Sequence, residues 1–166
     1  MPNHVTNILR LQGNAEHVAQ AFEGMRSEGS PIDFEKIVPP PANMFRDDLS
    51  EADRRRCAEQ GIPNWYDWQV ANWGTKWNAY TITEGEGEVR FQTAWSAPMP
   101  VFEALSRQHP DLDVVVRYAD EDFGNNVGEF TLRDGVETAA NHLGGYTPEA
   151  EALAADILGY RPHEED

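Results

Sequence analysis

The residues of this chain best suited to molecular recognition are its tryptophans, because four of the five fall within residues 64–80. Each indole can bury roughly 150–250 Å² and carries one N–H group that needs a partner. One interpretation is that Trp73, Trp77 and Trp95 pack in the core, where a helix stripe meets the end of a strand. The segment would then serve stability alone.

A second interpretation assigns part of the same segment to binding. Trp65 and Trp68 lie nearly opposite the stripe formed by Tyr66 and Trp73 on a predicted helix. Exposed aromatic side chains of this kind anchor ligands or protein partners. Lys76 is then the lone base among aromatic residues, and Trp65, Trp68 and Lys76 are predicted partner-binding residues.

Three consecutive acids, Asp120, Glu121 and Asp122, end a predicted strand, with Asn125 and Asn126 close behind. Oxygen ligands of these types can hold a hard cation. The spacing matches no calcium-binding loop, in which acids alternate along the chain. A solvated turn is therefore favoured over a metal site, and the three acids join the predicted partner-binding residues.

Arg10, Arg90 and Arg117 lie on strands that should pair, and alternation places all three on the face opposite the core. Such a face could hold an anion or RNA, but RNA-binding sheets also need exposed aromatic residues on central strands. None is evident in these strands. A solvated face, or pairing with Asp113 and neighbouring acids, is favoured over weak anion binding.

The remaining polar residues form no recognisable catalytic or metal-binding motif. The five histidines are scattered and Cys57 is the single cysteine, so we predict no zinc site and no internal disulfide. No glycine-rich phosphate-binding loop follows a strand. Because catalytic triads form in space rather than in sequence, a hydrolytic site stays open as an alternative. We predict no cofactor and favour a protein without enzymatic activity.

The charge of the chain favours basic partners. Acids outnumber bases by 29 to 13, a net charge of −16, and an acidic chain repels nucleic-acid phosphates. From Asp120 onward there are twelve acids against Arg133 and Arg161. This surface either serves solubility alone, or it imitates nucleic-acid phosphates or docks on a basic site of a host nucleic-acid-binding protein. Direct nucleic-acid binding is disfavoured.

The start of the chain is polar and lacks the pattern of a signal peptide. No apolar run approaches the ~20 residues that a membrane span requires. Together with the lone cysteine, these features predict a cytoplasmic protein that does not enter membranes.

The elements that position these residues follow from hydrophobic periodicity and turn residues. Alternating apolar residues predict strands, and apolar residues three and four apart predict helices. Asn64 is the predicted cap of the tryptophan helix and Gly74 its left-handed end. The predicted strands cover 5–11, 32–38, 80–83, 88–95, 111–120 and 127–133, and the predicted helices cover 15–26, 50–60, 65–73, 99–109 and 147–158.

This order predicts an α+β fold, a ferredoxin-like βαββαβ sandwich with helices on one face of an antiparallel sheet. We expect a single domain over 1–166. Within it, 39–72 is a predicted helical insertion between the second and third strands. An extra strand and a helix follow the sandwich, and 136–166 is a predicted acidic C-terminal extension.

Four stretches of the chain resemble the YubB-like ferredoxin-domain family, which is carried by phages, plasmids and bacteria. They are MPNHVTN at 1–7, NWGTKWNAY at 72–80, TAWSAP at 93–98 and YADEDFG at 118–124. The resemblance covers roughly residues 1–135. It implies a ferredoxin-like fold without iron–sulfur ligands, a mobile-element setting and no catalytic role for any residue.

We therefore predict a non-enzymatic accessory protein of a mobile genetic element that binds a protein partner through its acidic and tryptophan-bearing surfaces. A basic, nucleic-acid-binding host factor is the partner that the charge favours. The alternative is a small-ligand-binding or hydrolytic domain with a pocket near Trp73, Lys76 and Asp120.

Overall fold

The computed structural model describes residues 1–162, which form one antiparallel sheet and the helices that pack against it. In chain order the elements are β1 (His4–Gln12), α1 (Ala15–Met25), α2 (Phe34–Ile37), α3 (Glu51–Gln60), α4 (Trp65–Trp73), β2 (Tyr80–Gly85), β3 (Glu88–Ala94), α5 (Met99–Gln108), β4 (Asp113–Asp120), β5 (Val127–Arg133), β6 (Val136–Leu143) and α6 (Pro148–Leu158).

The sheet has the spatial order β2-β3-β1-β4-β5-β6, and every neighbouring pair is antiparallel. The elements β1, α1, β2, β3, α5 and β4 form a βαββαβ unit whose strands lie in the order β2-β3-β1-β4. This arrangement confirms the predicted ferredoxin-like α+β sandwich. β5 is the predicted extra strand, and β6 extends the sheet beyond it.

The predicted strand over 32–38 is wrong, because this segment contains the short helix α2. Asp33 caps α2 by accepting a hydrogen bond from the Glu35 backbone N–H at 2.9 Å. The buried residues Phe34 and Ile37 are three apart, which is the spacing of a helix rather than of a strand. The second strand of the sandwich is therefore β2, and the helical segment lies between α1 and β2. The boundaries drawn at 39–72 and 136–166 stay predictions.

The main core lies between the sheet and the helices α1, α2 and α5. Alternate residues of each central strand point into it, and Leu9 in β1 and Val116 in β4 are fully buried. A smaller core lies on the opposite face, where Ala154 and Ile157 of α6 pack against Ala119 and Val127. The sheet is therefore covered by helices on both faces near β4.

The C-terminal part contains one strand that hydrophobic periodicity does not indicate. β6 is an outermost strand, exposed along its length except at Leu143, so its sequence lacks the alternation that burial of one face imposes. The predicted helix over 147–158 is confirmed as α6, with Thr147 as its cap. Residues 163–166 of the predicted acidic extension lie outside the described residues.

Candidate functional site

A cavity of about 630 Å³ lies between the helical segment and one end of the sheet. Cavities of roughly 300–1,000 Å³ are typical of ligand sites. Its walls come from the starts of β1 and β2, from α2, from α4 and from the connections around them. The lining is mainly aromatic, with a few polar side chains at defined points.

One face of α4 forms a wall of this cavity. Trp65, Gln69 and Trp73 are each four residues apart, so they project from the same side of the helix. Asn64 begins α4 by accepting a hydrogen bond from the Asp67 backbone N–H, and Gly74 ends it with a left-handed φ of 76°. Both predicted ends of the tryptophan helix are confirmed.

The indole N–H groups of this wall are already used by the protein. Trp65 Nε1 donates to the Asp47 carbonyl oxygen at 3.0 Å, and Trp73 Nε1 donates to the Val38 carbonyl oxygen at 2.9 Å. These bonds fix the two rings. Trp73 is buried against Phe34, as predicted for a core tryptophan, whereas Trp65 is partly exposed.

Another part of the lining is a tyrosine and a histidine held together by one hydrogen bond. The distance between Tyr80 Oη and His4 Nδ1 is 2.5 Å, and their rings meet edge to face. β2 is irregular after Tyr80, and Thr81 has a φ of 51°, a rare conformation for a β-branched residue. Burial, and secondarily the charge of Glu121, raises the pKa of Tyr80, which keeps the phenol protonated.

Polar side chains complete the lining. Arg46 Nη2 lies 2.8 Å from Glu35 Oε1, which forms an exposed ion pair. Gln69 Nε2 donates to the Lys76 carbonyl oxygen at 2.5 Å, and Asn78 Nδ2 donates to Asp33 Oδ1 at 2.8 Å. The amide donors are thus used within the protein, and Asn78 Oδ1 also accepts from the Phe34 and Ala79 backbone N–H groups at 3.0 and 2.8 Å.

Two tryptophans expected in the core are instead on the surface. Trp77 is 38% exposed and Trp95 is 39% exposed, so the predicted burial of both is wrong. The ammonium group of Lys76 contacts both exposed rings, since it lies 4.6 Å from the centre of the Trp77 ring and 5.8 Å from that of Trp95. Trp77 lines the cavity, whereas Trp95 does not.

Of the predicted partner-binding residues, Trp65 is the one that lines the cavity. Trp68 packs edge to face on Trp73, with 5.5 Å between ring centres, and faces a different, smaller groove of about 400 Å³ beside Arg54. Lys76 lies next to the cavity and contributes its backbone carbonyl to the lining residue Gln69. The structure therefore separates the two tryptophans that the helix periodicity grouped.

The predicted acidic residues form a bonded turn at the end of β4. Asp120 is buried and accepts hydrogen bonds from Asn126 Nδ2 and from the Asp122 backbone N–H. Asp122 accepts one from the Tyr146 hydroxyl, and Glu121 accepts one from the His4 backbone N–H. Over residues 1–162, the structure contains no group of three potential metal ligands.

The three predicted anion-binding arginines do share the sheet face opposite the main core. In the sheet register, Ile8 lies opposite both Arg90 and Arg117. Arg10 pairs with Glu88 at 2.8 Å, and Arg117 pairs with Glu129 and with Asp156 of α6. Arg90 lines a smaller polar cavity of about 250 Å³. Asp113, expected to pair with one of the three, pairs with Arg133.

Sequence reasoning did not single out several lining residues. His4, Tyr80, Glu35 and Arg46 come from four separate segments, and only the fold brings them together. Gln69 carried a usable signal, because it lies midway between Trp65 and Trp73 on one helix face. Among the described residues, no helix has the length and apolarity needed to span a bilayer.

Comparisons with known proteins give one family and one solved structure. The family described as "Ferredoxin-like domain in Api92-like protein" matches residues 73–157. A crystal structure of the protein Api92 from Yersinia pseudotuberculosis has 15% sequence identity and a TM-score of 0.42. The match covers 51% of this chain and 32% of that chain, so the chain spans about a third of that structure's length. The search of curated proteins finds no match.

Proposed function

The chain belongs to the family of ferredoxin-like domains of Api92-like proteins, and from this premise we propose that it is a non-catalytic interaction domain whose aromatic cavity receives part of a basic protein partner. The observation that carries the proposal is the cavity of about 630 Å³ in which Trp65, Trp73 and Trp77 converge. Aromatic side chains set in a pocket are the typical anchors of protein interfaces.

The distribution of charge supports a basic partner. Residues 36–76, which supply most of the cavity's tryptophans, contain six basic and six acidic residues. The net charge of −16 therefore lies entirely on the rest of the chain. An electrically balanced binding segment surrounded by acidic surface steers a basic partner towards the cavity without placing unpaired charge inside it.

A cytoplasmic protein of a mobile element that docks on a nucleic-acid-binding host factor fits the acidic surface. In the narrower version the surface imitates nucleic-acid phosphates. Asp120 and Asp122 accept hydrogen bonds within their own turn. The acids that would imitate phosphates are therefore the exposed ones of β6 and α6, such as Glu137 and Glu149.

A small-molecule ligand is the second candidate, and the volume of the cavity favours it. Hydrolysis has less support from the geometry. Neither Lys76 nor Asp120 is among the lining residues, and Asp120 is held in its turn by hydrogen bonds. The nearest titratable pair in the lining, His4 and Tyr80, has no neighbouring nucleophile among the described lining residues.

The proposal is tested by comparing two tryptophans of nearly equal exposure. We expect Trp77→Ala to lower recovery of the partner from a host lysate by about tenfold or more, because it removes an anchor from the cavity. Trp95→Ala is the matched control, since Trp95 is equally exposed and contacts the same Lys76 but lies outside the cavity. Quantitative mass spectrometry of the captured proteins measures both.

Equal recovery by the wild-type protein and Trp77→Ala would contradict the proposal. Circular dichroism and thermal melting of each variant ensure that a loss of binding is not a loss of folding. If moderate salt does not lower recovery of the partner, the acidic surface around the cavity does not contribute to binding.

A further inference from the structure

The ligand class of the cavity follows from the chemical groups that its walls still offer. The N–H groups of Trp65 and Trp73 donate to backbone carbonyl oxygens, and the Tyr80 hydroxyl is bonded to His4. What these side chains present to an occupant is therefore the faces and edges of their rings. A ring face carries the negative part of the aromatic quadrupole and attracts cations.

The polar lining points to the same preference. The amide donors of Gln69 and Asn78 are bonded within the protein, and the Asn78 amide oxygen already accepts from the Phe34 and Ala79 backbone N–H groups. The Glu35 carboxylate, paired with Arg46, stands at an exposed position of the lining. An occupant that brings its own hydrogen-bond donors finds few acceptors here, whereas a cation without N–H groups needs none.

The chain already uses one of these rings in this way. The Lys76 ammonium group lies 4.6 Å from the centre of the Trp77 ring, which is within cation–π range. Lys76 is not a lining residue, so the other rings of the cavity remain for an occupant. The excess of acids outside residues 36–76 adds a long-range attraction for positive charge.

We propose that the cavity binds the side chain of a trimethylated lysine on the partner protein, an inference that rests on the proposed function. The quaternary ammonium group lies against the rings of Trp65 and Tyr80, and the cavity volume leaves room for the aliphatic stem of the lysine. Methylation removes the N–H groups that the lining cannot satisfy while it keeps the charge that the rings attract.

The charge requirement is tested with two small probes of the same shape. Choline carries a quaternary ammonium group, and 3,3-dimethyl-1-butanol replaces its nitrogen by carbon. We expect choline to bind the full chain about tenfold more tightly, the difference that a desolvated cation–π contact supplies. Tryptophan fluorescence and chemical-shift titration measure both affinities. Equal affinities, or no binding by choline, would overturn the proposal.

The source of the cation is tested with peptides. A short basic peptide with one trimethyllysine is expected to bind more tightly than choline, and about tenfold more tightly than the same peptide with unmodified lysine. If choline binds but the methylated and unmodified peptides bind equally, a methylated protein is the wrong source and the proposal fails.

Two substitutions separate the ring face from apolar volume. Trp65→Leu keeps an apolar side chain in the wall but removes the aromatic face, so the ratio of choline to isostere affinity should fall towards one. Trp95→Leu changes an equally large indole outside the cavity and should leave the ratio unchanged. A ratio unaffected by Trp65→Leu would contradict the assigned contact, even if that variant is less stable.

The outcomes of the two proposals are distinguishable. If Trp77→Ala abolishes partner capture but choline and the methylated peptide do not bind, the interaction domain stands and the methylated-lysine assignment falls. If the cation probes bind but capture is insensitive to Trp77→Ala, the cavity is a cation site and the proposed protein interaction falls.

Discussion

Two tyrosine–histidine pairs lie near opposite edges of the sheet, and they differ in what surrounds them. Tyr80 and His4 are joined at 2.5 Å, and Tyr118 and His142 at 2.6 Å, in each case through Oη and Nδ1. Each pair ties an outermost strand, β2 or β6, to a central one. The same local chemistry therefore occurs at both ends of one sheet.

In the second pair the tyrosine is closed in by its neighbours and is buried, although the His142 ring is exposed. Phe130 packs against the His142 ring, Glu137 lies 3.1 Å from His142 Nε2, and Gly128 lies beneath the Tyr118 hydroxyl. His4, by contrast, borders both the aromatic cavity and the smaller polar cavity. A tyrosine–histidine pair thus acts as a structural tie where the tyrosine is buried, and as the wall of a cavity where packing leaves space.

The largest loss of stability is expected from a substitution at the cavity end of the sheet. Trp73→Ala should lower the free energy of unfolding by about 3–5 kcal/mol, because it removes a large buried side chain and leaves a void. Trp77→Ala, with its ring 38% exposed, should cost far less. Urea unfolding of both variants measures the difference. A cost below about 1 kcal/mol for Trp73→Ala would mean that this wall is not part of the core.

A smaller effect is expected at the closed end. In Gly128→Ala the added Cβ would lie 2.7 Å from Tyr118 Oη and 2.8 Å from the Asn141 carbonyl oxygen. We expect a loss of about 1–3 kcal/mol, as overpacking typically gives, together with a changed His142 ring signal in NMR spectra.

Gly24→Ala in α1 is the matched control for this substitution, because its Cβ would meet nothing within 4 Å. It should stabilise the protein by up to about 1 kcal/mol, since alanine is the better helix former. If Gly128→Ala is as well tolerated as Gly24→Ala, the closed end has room that the structure does not indicate.

The smallest effect concerns alkaline pH. Burial, with the charges of Glu137 and Glu121 respectively, raises the pKa of Tyr118 and of Tyr80 above 10.0. The folded state then holds each phenolic proton more tightly than the unfolded chain does. This contribution is complete below about pH 10 and is lost as the pH rises through the raised pKa.

Unfolding measured between about pH 8 and about pH 11 tests this sign. Tyr118→Phe should flatten the alkaline decline more than Tyr80→Phe does, because Tyr118 is only 7% exposed whereas Tyr80 borders a cavity. An identical decline in the wild-type protein and both variants would show that neither phenol is responsible for it.

Much of the fold could be predicted because local signals and tertiary packing agree there. β1, β4 and α1 have clear periodicity, and Asn64 and Gly74 bound α4 as expected. The prediction of a strand at 32–38 was wrong because a four-residue helix is too short to show a helical period in its apolar residues. β6 was not predicted because neither of its faces is buried along most of its length, so its sequence shows no alternation.

The site was less predictable, since its walls come from distant parts of the chain. The tryptophan cluster indicated the region of the cavity, but periodicity did not show which of its indoles are exposed, and Trp77 and Trp95 lie at the surface beside Lys76. Periodicity grouped Trp65 with Trp68, and tertiary packing divided them. Nothing in sequence spacing joins His4 to Tyr80.

Both outermost strands are interrupted: β2 shifts register between Tyr80 and Thr83, and β6 does so opposite Thr131 and Leu132. A straight, regular border strand offers a row of unpaired backbone groups onto which another molecule's strand can add. Each irregularity bends that row out of line. These two kinks, together with the mutual repulsion of highly acidic copies, oppose the edge-to-edge addition of strands that would build fibrils. The fold can therefore keep a six-stranded sheet with both border strands uncovered.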